Sequence, residues 1–218
     1  ESQAVAVLCG IPYSYFRYET HLAAGAAIAE YGRAAAEYRE HFGRDLGALE
    51  CYRVDDARIV FFMIGSFASK AREAVDRLRA AGQRVGLLRP RLLRPYPEEA
   101  IASALATVRG VAVVDQNLSM GQGGVLHTEL CAALYGRPSA PRAVLGFIGG
   151  LGGREIAPEE FYQMAAVTRE AVENGSRPPR RLLYTAAELR EVRKLQAVAA
   201  AERDDTSPRR SGDRGTVR

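Results

Sequence analysis

Four short apolar segments, each followed by a helical pattern, constrain the fold of this chain more than any other feature. The apolar segments, rich in Val, Ile, Leu and Phe, are residues 58–64, 84–88, 110–115 and 143–148. The helical patterns are residues 67–81, 98–108, 121–135 and 158–173. Strands that are apolar on both faces are typical of a parallel sheet covered by helices on both sides. The sequence therefore predicts an α/β, doubly wound and mostly parallel sheet of four or five strands.

The segments on either side of this pattern differ from it. A long lead-in helix is predicted from Tyr15 to Phe42, with Gly43 as its C-cap and a loop over 44–56. After a Pro- and Arg-rich linker, Thr185 and Glu188 form a capping box that opens a short amphipathic helix. The composition after Glu202 is typical of disorder. We predict three parts: a lead-in helix and connection (1–56), an α/β domain (57–174) and a basic tail (175–218).

The charge of the chain is unevenly distributed. The 218 residues carry a net charge of +4. Residues 1–174 hold 19 basic and 20 acidic side chains, whereas residues 175–218 hold 11 basic and 6 acidic ones. Because the basic excess lies in the tail, the overall charge does not predict a nucleic-acid partner for the body. A nucleic-acid binder that uses the tail stays open as a third hypothesis.

Cysteine usage and hydropathy bear on location. Cys9, Cys51 and Cys131 lie far apart, a spacing that suits neither a zinc site, nor an iron–sulfur cluster, nor a secreted disulfide framework. No apolar run approaches the roughly 20 residues that span a bilayer, and the first residues lack the basic region of a signal peptide. We expect a cytoplasmic protein without membrane contact. Because the chain does not begin with Met, we also expect it to be a piece of something longer.

Four loops follow the predicted strands at their carboxyl ends, where open α/β sheets meet ligands and partner domains. They are L1 (65–66), L2 (89–97), L3 (115–124) and L4 (149–155). The candidate interdomain or anion contacts in these loops are Gly65, Ser66, Arg94, Asn117, Gly121, Gly123, Gly153 and Arg154.

The glycines of L3 allow two interpretations. Backbone amides at a helix N-terminus favour an anion, which gives the alternative that the chain is a stand-alone module for a phosphate ligand, held at residues 121–124. The glycine spacing is a poor match to a dinucleotide fingerprint, and close packing against a neighbouring domain explains it better. The same two interpretations apply to L4 with Arg154.

No catalytic constellation emerges from the residue pattern. Ser66 has no motif-level partner, and His127 lies one turn into a helix. Asp115 is the best lone carboxylate, yet Asp at this position often caps the loop that follows it. We predict no catalytic residue and no metal ligand in this chain. Loops shaped for contact without a proton-transfer pair are typical of one part of a larger enzyme.

The motifs around these loops, taken in order, resemble the carboxy-terminal half of the alpha subunit of 2-oxoacid:ferredoxin oxidoreductases. The matching residues are Tyr15-Phe16-Arg17-Tyr18, 52–57, Gly65-Ser66, 85–89, 94–97, 115–121, 133–135 and 150–155. The resemblance covers roughly residues 12–170. Gln116 stands where the family has an arginine, which removes a charge from L3.

This resemblance implies a transketolase C-terminal-like domain within a thiamine diphosphate-dependent enzyme. The family oxidatively decarboxylates pyruvate or a related 2-oxoacid to an acyl-CoA and passes the electrons to ferredoxin. Its thiamine diphosphate, Mg²⁺ and iron–sulfur clusters are expected in the whole complex and not in this chain alone, because this sequence contains no Gly-Asp-Gly motif and no cluster cysteines. The expected partners are beta-, gamma- and delta-type subunits or domains. The resemblance thus implies a structural and docking domain that is inactive alone.

Overall fold

The structure is a computed structural model that describes residues 10–179 and 181–206. Its elements are α1 (Gly10–Phe42), β1 (Leu49–Tyr52), β2 (Ile59–Met63), α2 (Ala68–Ala80), β3 (Val85–Pro90), α3 (Glu98–Leu105), β4 (Gly110–Asp115), α4 (Val125–Leu134), β5 (Ala143–Ile148), a 3₁₀ turn (Leu151–Gly153), α5 (Pro158–Asn174), β6 (Arg181–Leu182) and α6 (Ala186–Thr206). The chain divides into two compact units, and the boundary between them falls after Leu182. The predicted limits at residues 56 and 174 stay a prediction.

The first unit is built on a six-stranded sheet with the order β1-β3-β2-β4-β5-β6. Five neighbouring strands, β3, β2, β4, β5 and β6, run parallel to one another, and β1 pairs antiparallel with β3 at one edge. The predicted α/β class is confirmed. The four apolar segments form the central strands, and two edge strands that the sequence pattern did not indicate extend them.

Helices cover both faces of this sheet because its central strands are apolar throughout. Every residue of β2 and β4 is buried. On one face, Val60 and Phe62 of β2 pack in a cluster that includes Ile101 of α3 and Leu130 of α4. On the other face, Phe61 contacts Phe161 of α5 edge to face, at a ring-centroid distance of 5.4 Å. Residues alternate between the two cores, as expected for a strand buried on both sides.

Three segments depart from the sequence expectations. The predicted loop at 44–56 contains β1, which exists through its pairing with β3. The helix expected over 121–135 begins at Val125, because residues 119–123 close a tight turn instead. The helix expected over 98–108 ends at Leu105.

The lead-in helix is confirmed but begins earlier than predicted, at Gly10, and none of its residues is buried. Gly43 ends it with a φ of 65° and donates its N–H to the carbonyl of Arg39.

In the second unit, the predicted capping box is present: Glu188 accepts from the N–H of Thr185 and donates its own N–H to the Thr185 hydroxyl. Helix α6 runs to Thr206, four residues beyond the predicted start of disorder, and the rest of that predicted tail lies outside the described residues.

Candidate docking surface at the carboxyl end of the sheet

Loop L3 closes on the N-terminus of α4. Asp115, the last residue of β4, is fully buried, and its carboxylate accepts from the N–H groups of Leu126 (2.8 Å) and His127 (3.1 Å). Asn117 donates to the same carboxylate (3.2 Å), and its Oδ1 accepts from the N–H of Val125 (3.1 Å). The first three amides of α4 are therefore satisfied by side chains of the chain itself. Asp115 is a helix cap, as its position in the sequence suggested.

This capping removes the donors that the phosphate-binding alternative requires. A ligand phosphate at residues 121–124 needs free amides at the start of α4, and Asp115 and Asn117 already occupy them. Burial raises the pKa of the Asp115 carboxyl above its ordinary value, and its hydrogen bonds oppose part of that shift. A buried carboxyl group, rather than an anion-binding cradle, thus organises L3.

The glycines of L3 serve the backbone in different ways. A Cβ atom at Gly124 would lie 1.9 Å from Oδ2 of Asp115, so this position excludes any side chain. Gly123 and Ser119 exchange backbone hydrogen bonds of 2.8 and 2.9 Å, which close a turn around Gly121. Gly121 itself adopts a φ of 80° and is exposed at the tip. Gly124 thus packs closely within the chain, and packing of the L3 glycines against a neighbouring domain stays a prediction.

Gln116 joins three of the four loops. Its Nε2 donates to the carbonyl of Ile64 (3.1 Å) beside Gly65 of L1. Its Cγ lies against the Cα of Gly150 in L4, where an added Cβ would be 3.4 Å away. The sequence pattern indicated only a lost charge at Gln116, whereas the structure places its amide in an internal contact that connects L1, L3 and L4.

The arginines of L2 are held by a carboxylate that the sequence pattern missed. Glu50 of β1 is 11% exposed and accepts from Arg91 (2.8 Å), with Arg89 and Arg72 also in ion-pair range. Arg94 pairs with Glu129 of α4 and remains two-thirds exposed. A cleft of about 290 Å³ separates Gly65 of L1 from the L2 arginines. L2 is thus fixed at both of its ends.

Arg154 of L4 is likewise engaged within the chain. Its guanidinium donates two hydrogen bonds to the carboxylate of Glu160, at 2.9 and 3.3 Å, and the Glu160 side chain is 5% exposed. Glu160 also accepts from the N–H of Ala157 at the start of α5 (2.8 Å). This geometry favours a rigid loop more than an anion site, because the pair is already bidentate.

All eight predicted contact residues lie at the carboxyl end of the sheet, but they divide into two groups. The exposed ones are Gly65, Ser66, Arg94, Gly121 and Gly153. The partly or fully buried ones, which contribute to internal structure, are Asn117, Gly123 and Arg154. Two exposed apolar side chains of L3 join the first group without having been predicted: Leu118, 42% exposed, and Met120, 86% exposed.

His127 of α4 contacts a backbone carbonyl and a thiol. The ring of His127 lies with Nε2 3.2 Å from the carbonyl oxygen of Val144 and 3.7 Å from Sγ of Cys131. Cys51 and Cys131 are not in a disulfide bond within the described residues, and Cys9 lies outside those residues. Among the residues the structure describes, no cluster of three His, Cys, Asp or Glu side chains could hold a metal ion.

Comparison with known proteins identifies the α/β domain. Residues 57–161 match the family described as pyruvate:ferredoxin oxidoreductase core domain II. The chain is 42% identical over 156 residues to pyruvate synthase subunit PorA of Methanothermobacter thermautotrophicus, a match that covers 72% of this chain and 39% of that protein. It is 37% identical over 167 residues to ketoisovalerate oxidoreductase subunit VorA of Pyrococcus abyssi, covering 75% of this chain and 41% of that one. The chain therefore spans about two fifths of the length of these relatives.

Two solved structures are also similar. A 2-oxoglutarate:ferredoxin oxidoreductase from Magnetococcus marinus, with 2-oxoglutarate, coenzyme A and succinyl-CoA bound, aligns at 26% identity with a TM-score of 0.42, over 62% of this chain and 21% of that one. A split-gene transketolase, an inactive beta4 tetramer, aligns at 17% identity with a TM-score of 0.42, over 55% of this chain and 39% of that one. The sequence relatives confirm the resemblance drawn from the loop motifs. Residues 57–161 therefore belong to the family described as pyruvate:ferredoxin oxidoreductase core domain II, and the chain is related to the oxidoreductase subunits PorA and VorA.

Proposed function

We propose that this chain is the non-catalytic docking domain of a 2-oxoacid:ferredoxin oxidoreductase alpha subunit. The proposed enzyme decarboxylates pyruvate or a related 2-oxoacid on thiamine diphosphate and releases an acyl-coenzyme A. Its electrons pass through iron–sulfur clusters to ferredoxin. The family of residues 57–161 and the oxidoreductase subunits among its relatives support this proposal.

The observation that carries the docking role is the tip of L3. Leu118 and Met120 are exposed on a turn that backbone hydrogen bonds hold rigidly. Apolar side chains on a rigid, exposed loop are typical of a protein–protein contact, because burying them in a partner costs little conformational entropy. With Gly65, Ser66, Arg94, Gly121 and Gly153, they form the proposed docking surface.

Helix α1 supports the same role. It is 33 residues long and none of its residues is buried, although it exposes Tyr13, Tyr15, Phe16 and Tyr18. An isolated helix gains little stability without a packed apolar face, and exposed aromatic residues are enriched at protein interfaces. Helix α1 is therefore a second region at which the proposed partners contact the chain.

The residues of this chain do not suit the cofactors that the family implies. The sequence lacks a Gly-Asp-Gly motif for Mg²⁺ and the diphosphate, and its three cysteines are not spaced for a cluster. The described residues contain no potential metal cluster. The proposal therefore assigns thiamine diphosphate, Mg²⁺ and the iron–sulfur clusters to other parts of the complex, and no reaction step to this chain.

The proposed partners are the beta-, gamma- and delta-type subunits or domains, with ferredoxin and coenzyme A acting on the complex. Neither nucleic acid nor a membrane is among them, and the proposed location is the cytoplasm. None of the helices in the described part of the chain is long and apolar enough to cross a bilayer.

Reconstitution tests the docking role. The full chain is mixed with the remaining subunits of the complex, and both association and 2-oxoacid-dependent viologen reduction are measured. The double variant Leu118→Asp/Met120→Asp is expected to weaken association by at least about tenfold, because charged side chains replace the buried contacts. The matched control, Leu195→Asp/Val198→Asp on the exposed face of α6, is expected to leave association unchanged.

Two results would overturn the proposal. One is the absence of association between the unmodified chain and the other subunits. The other is a Leu118→Asp/Met120→Asp variant that folds, associates and supports viologen reduction like the unmodified chain.

A further inference from the structure

An arginine immediately precedes each of the strands β2, β3, β4 and β5, at the end of the sheet opposite the docking surface. This amino-end arginine row comprises, in order across the sheet, Arg84, Arg58, Arg109 and Arg142. Backbone hydrogen bonds fix its register: Arg58 donates its N–H to the carbonyl of Arg84 (2.8 Å), and Arg109 donates to that of Arg58 (2.9 Å). Since neighbouring strands lie about 4.8 Å apart, the backbones of neighbouring arginines in the row lie close together at this end of the sheet.

The four guanidinium groups of the row are exposed and form no ion pair or side-chain hydrogen bond within the described residues. Other arginines near this end do have partners. Arg79 binds Asp56 and the carbonyl of Arg53 (2.8 Å), and Arg137 pairs with Glu98 and Glu99. Like charges on adjacent strands repel one another and are destabilising. An external anion that neutralises the arginines of the row would remove this repulsion.

A cleft of about 510 Å³ lies beside this row, between the sheet and the C-terminal half of α5. Its basic lining residues are Arg58, Arg84, Arg109 and Arg169. Glu173 is the one acidic residue among the lining residues, whereas Ile59 and Val172 provide an apolar wall. Arg169 is oriented by a hydrogen bond to the Gln83 side chain (2.9 Å). The cleft thus combines several guanidinium groups with a size that suits a small ligand.

We infer that this cleft, with the three arginines of the amino-end arginine row that line it (Arg84, Arg58 and Arg109), binds a small multivalent phosphate anion, either inorganic polyphosphate or the polyphosphate group of a nucleotide. Guanidinium groups bind phosphate through paired hydrogen bonds, so several of them at strand spacing favour one ligand with several phosphates. Asp55, Asp56 and Glu173 flank the row and disfavour a long nucleic-acid backbone. The site is separate from the docking surface, and its test does not depend on the oxidoreductase complex.

Isothermal titration of the full chain with sodium tripolyphosphate and with ATP, at fixed ionic strength, tests this site. Sodium sulfate serves as the reference anion. Both polyphosphates are expected to bind at least about tenfold more tightly than sulfate, and the affinity to fall as salt rises. A tighter ATP complex identifies the nucleotide as the source of the phosphates, and equal affinities identify the phosphate chain alone.

The variant Arg58→Gln/Arg109→Gln is expected to weaken polyphosphate binding by about tenfold for each arginine lost. Arg190→Gln/Arg193→Gln on α6 removes the same charge from exposed positions and is expected to preserve binding. Arg58→Lys/Arg109→Lys, which keeps the charge, is expected to recover part of the affinity. Thermal unfolding of each variant without ligand verifies that it is folded.

Three results would overturn the assignment. The first is polyphosphate affinity no greater than that of sulfate. The second is an equal loss of affinity in the α6 control. The third is tighter binding of a single-stranded DNA oligomer than of tripolyphosphate, with the binding lost in the Arg58→Gln/Arg109→Gln variant, which would identify a nucleic-acid surface instead.

Discussion

The arginines of loops L2 and L4 differ from those of the amino-end arginine row in whether a carboxylate of the chain binds them. At the carboxyl end, the arginines of L2 and L4 pair with Glu50, Glu129 and Glu160. At the amino end, the four arginines of the amino-end arginine row have no carboxylate partner within the described ranges. Positive charge that is paired internally fixes a loop, whereas unpaired positive charge is available to a ligand. The first arrangement fits the rigid loops of the proposed docking surface, and the second fits the proposed anion site.

The clearest example of internal pairing is Glu50. Its carboxylate is almost buried and forms ion pairs with guanidinium groups of L2 and of α2. It lies on β1, opposite Arg89 in the antiparallel register with β3. The edge strand thus has a specific role, since it brings a carboxylate to a loop that is otherwise strongly basic.

The largest expected effect is that of Gly124→Ala, which disturbs the cap of α4 at the carboxyl end. The added Cβ would overlap the buried carboxylate of Asp115, 1.9 Å away. We expect the free energy of unfolding to fall by about 3 kcal/mol, because a packed core cannot accommodate the extra atom without displacing the cap. Urea denaturation followed by circular dichroism measures this change.

Gly25→Ala is the matched control for that experiment. Gly25 lies in the exposed α1 helix with no atom near its hypothetical Cβ, and alanine is the better helix former. We expect no loss of stability. Equal effects of the two alanine substitutions would contradict the view that L3 is built around the Asp115 cap.

Glu160→Gln is expected to weaken the carboxyl end by removing the charge of the carboxylate that Arg154 binds. The two side chains are 5% and 19% exposed, so the lost hydrogen bonds are largely shielded from water. We expect a destabilisation of about 2 kcal/mol. The exposed pair of Glu191 and Lys194 provides the comparison, since Glu191→Gln is expected to change stability by less than about 0.5 kcal/mol. Similar losses in both variants would show that burial does not distinguish these pairs.

The central sheet was predictable because strands that are buried on both faces consist almost entirely of apolar residues. The segments around Phe61, Val113 and Phe147 are apolar throughout, which suits no other environment in a chain of this size. Strand β1 has no such mark. Its four residues, Leu-Glu-Cys-Tyr, alternate in polarity at an exposed edge, and their strand geometry comes from pairing with β3, about 40 residues away.

The position of the site was predictable, but the state of its side chains was not. Residue order alone places Arg94 and Arg154 at the carboxyl ends of strands. Whether an arginine there is free depends on a carboxylate that folding brings near, and Glu129 approaches Arg94 from 35 residues away. The amino-end arginine row was missed for the same reason, because its alignment appears only when the strands are in register.

Substitution of Tyr96 in L2 is expected to raise the free energy of unfolding, by less than Glu160→Gln lowers it. Its hydroxyl is buried without a hydrogen-bond partner among the described residues, and burial raises the pKa of the phenol. Tyr96→Phe is expected to stabilise the isolated chain by about 1 kcal/mol, because it removes an unsatisfied polar group and keeps the ring. The control is Tyr135→Phe, at a side chain that is 90% exposed. A loss of stability in Tyr96→Phe would show that the hydroxyl makes a favourable contact.

The smallest expected effect is a change in the pKa of Asp56, which reports the electrostatic field of the amino-end arginine row. Hydrogen bonds from Arg79 hold the pKa of the Asp56 carboxyl below its ordinary value of 3.8, and the charge of Arg84 adds to this shift. The stability contributed by Asp56 is therefore present above pH 3.8 and is lost as the pH falls through the lowered pKa. We expect Arg79→Gln to return the pKa of Asp56 close to 3.8, and Arg84→Gln to raise it by a smaller amount. Titration of the Asp56 carboxyl by nuclear magnetic resonance measures its pKa in the two variants. An unchanged Asp56 pKa in Arg84→Gln would show that water screens the charge of the amino-end arginine row even before any anion binds.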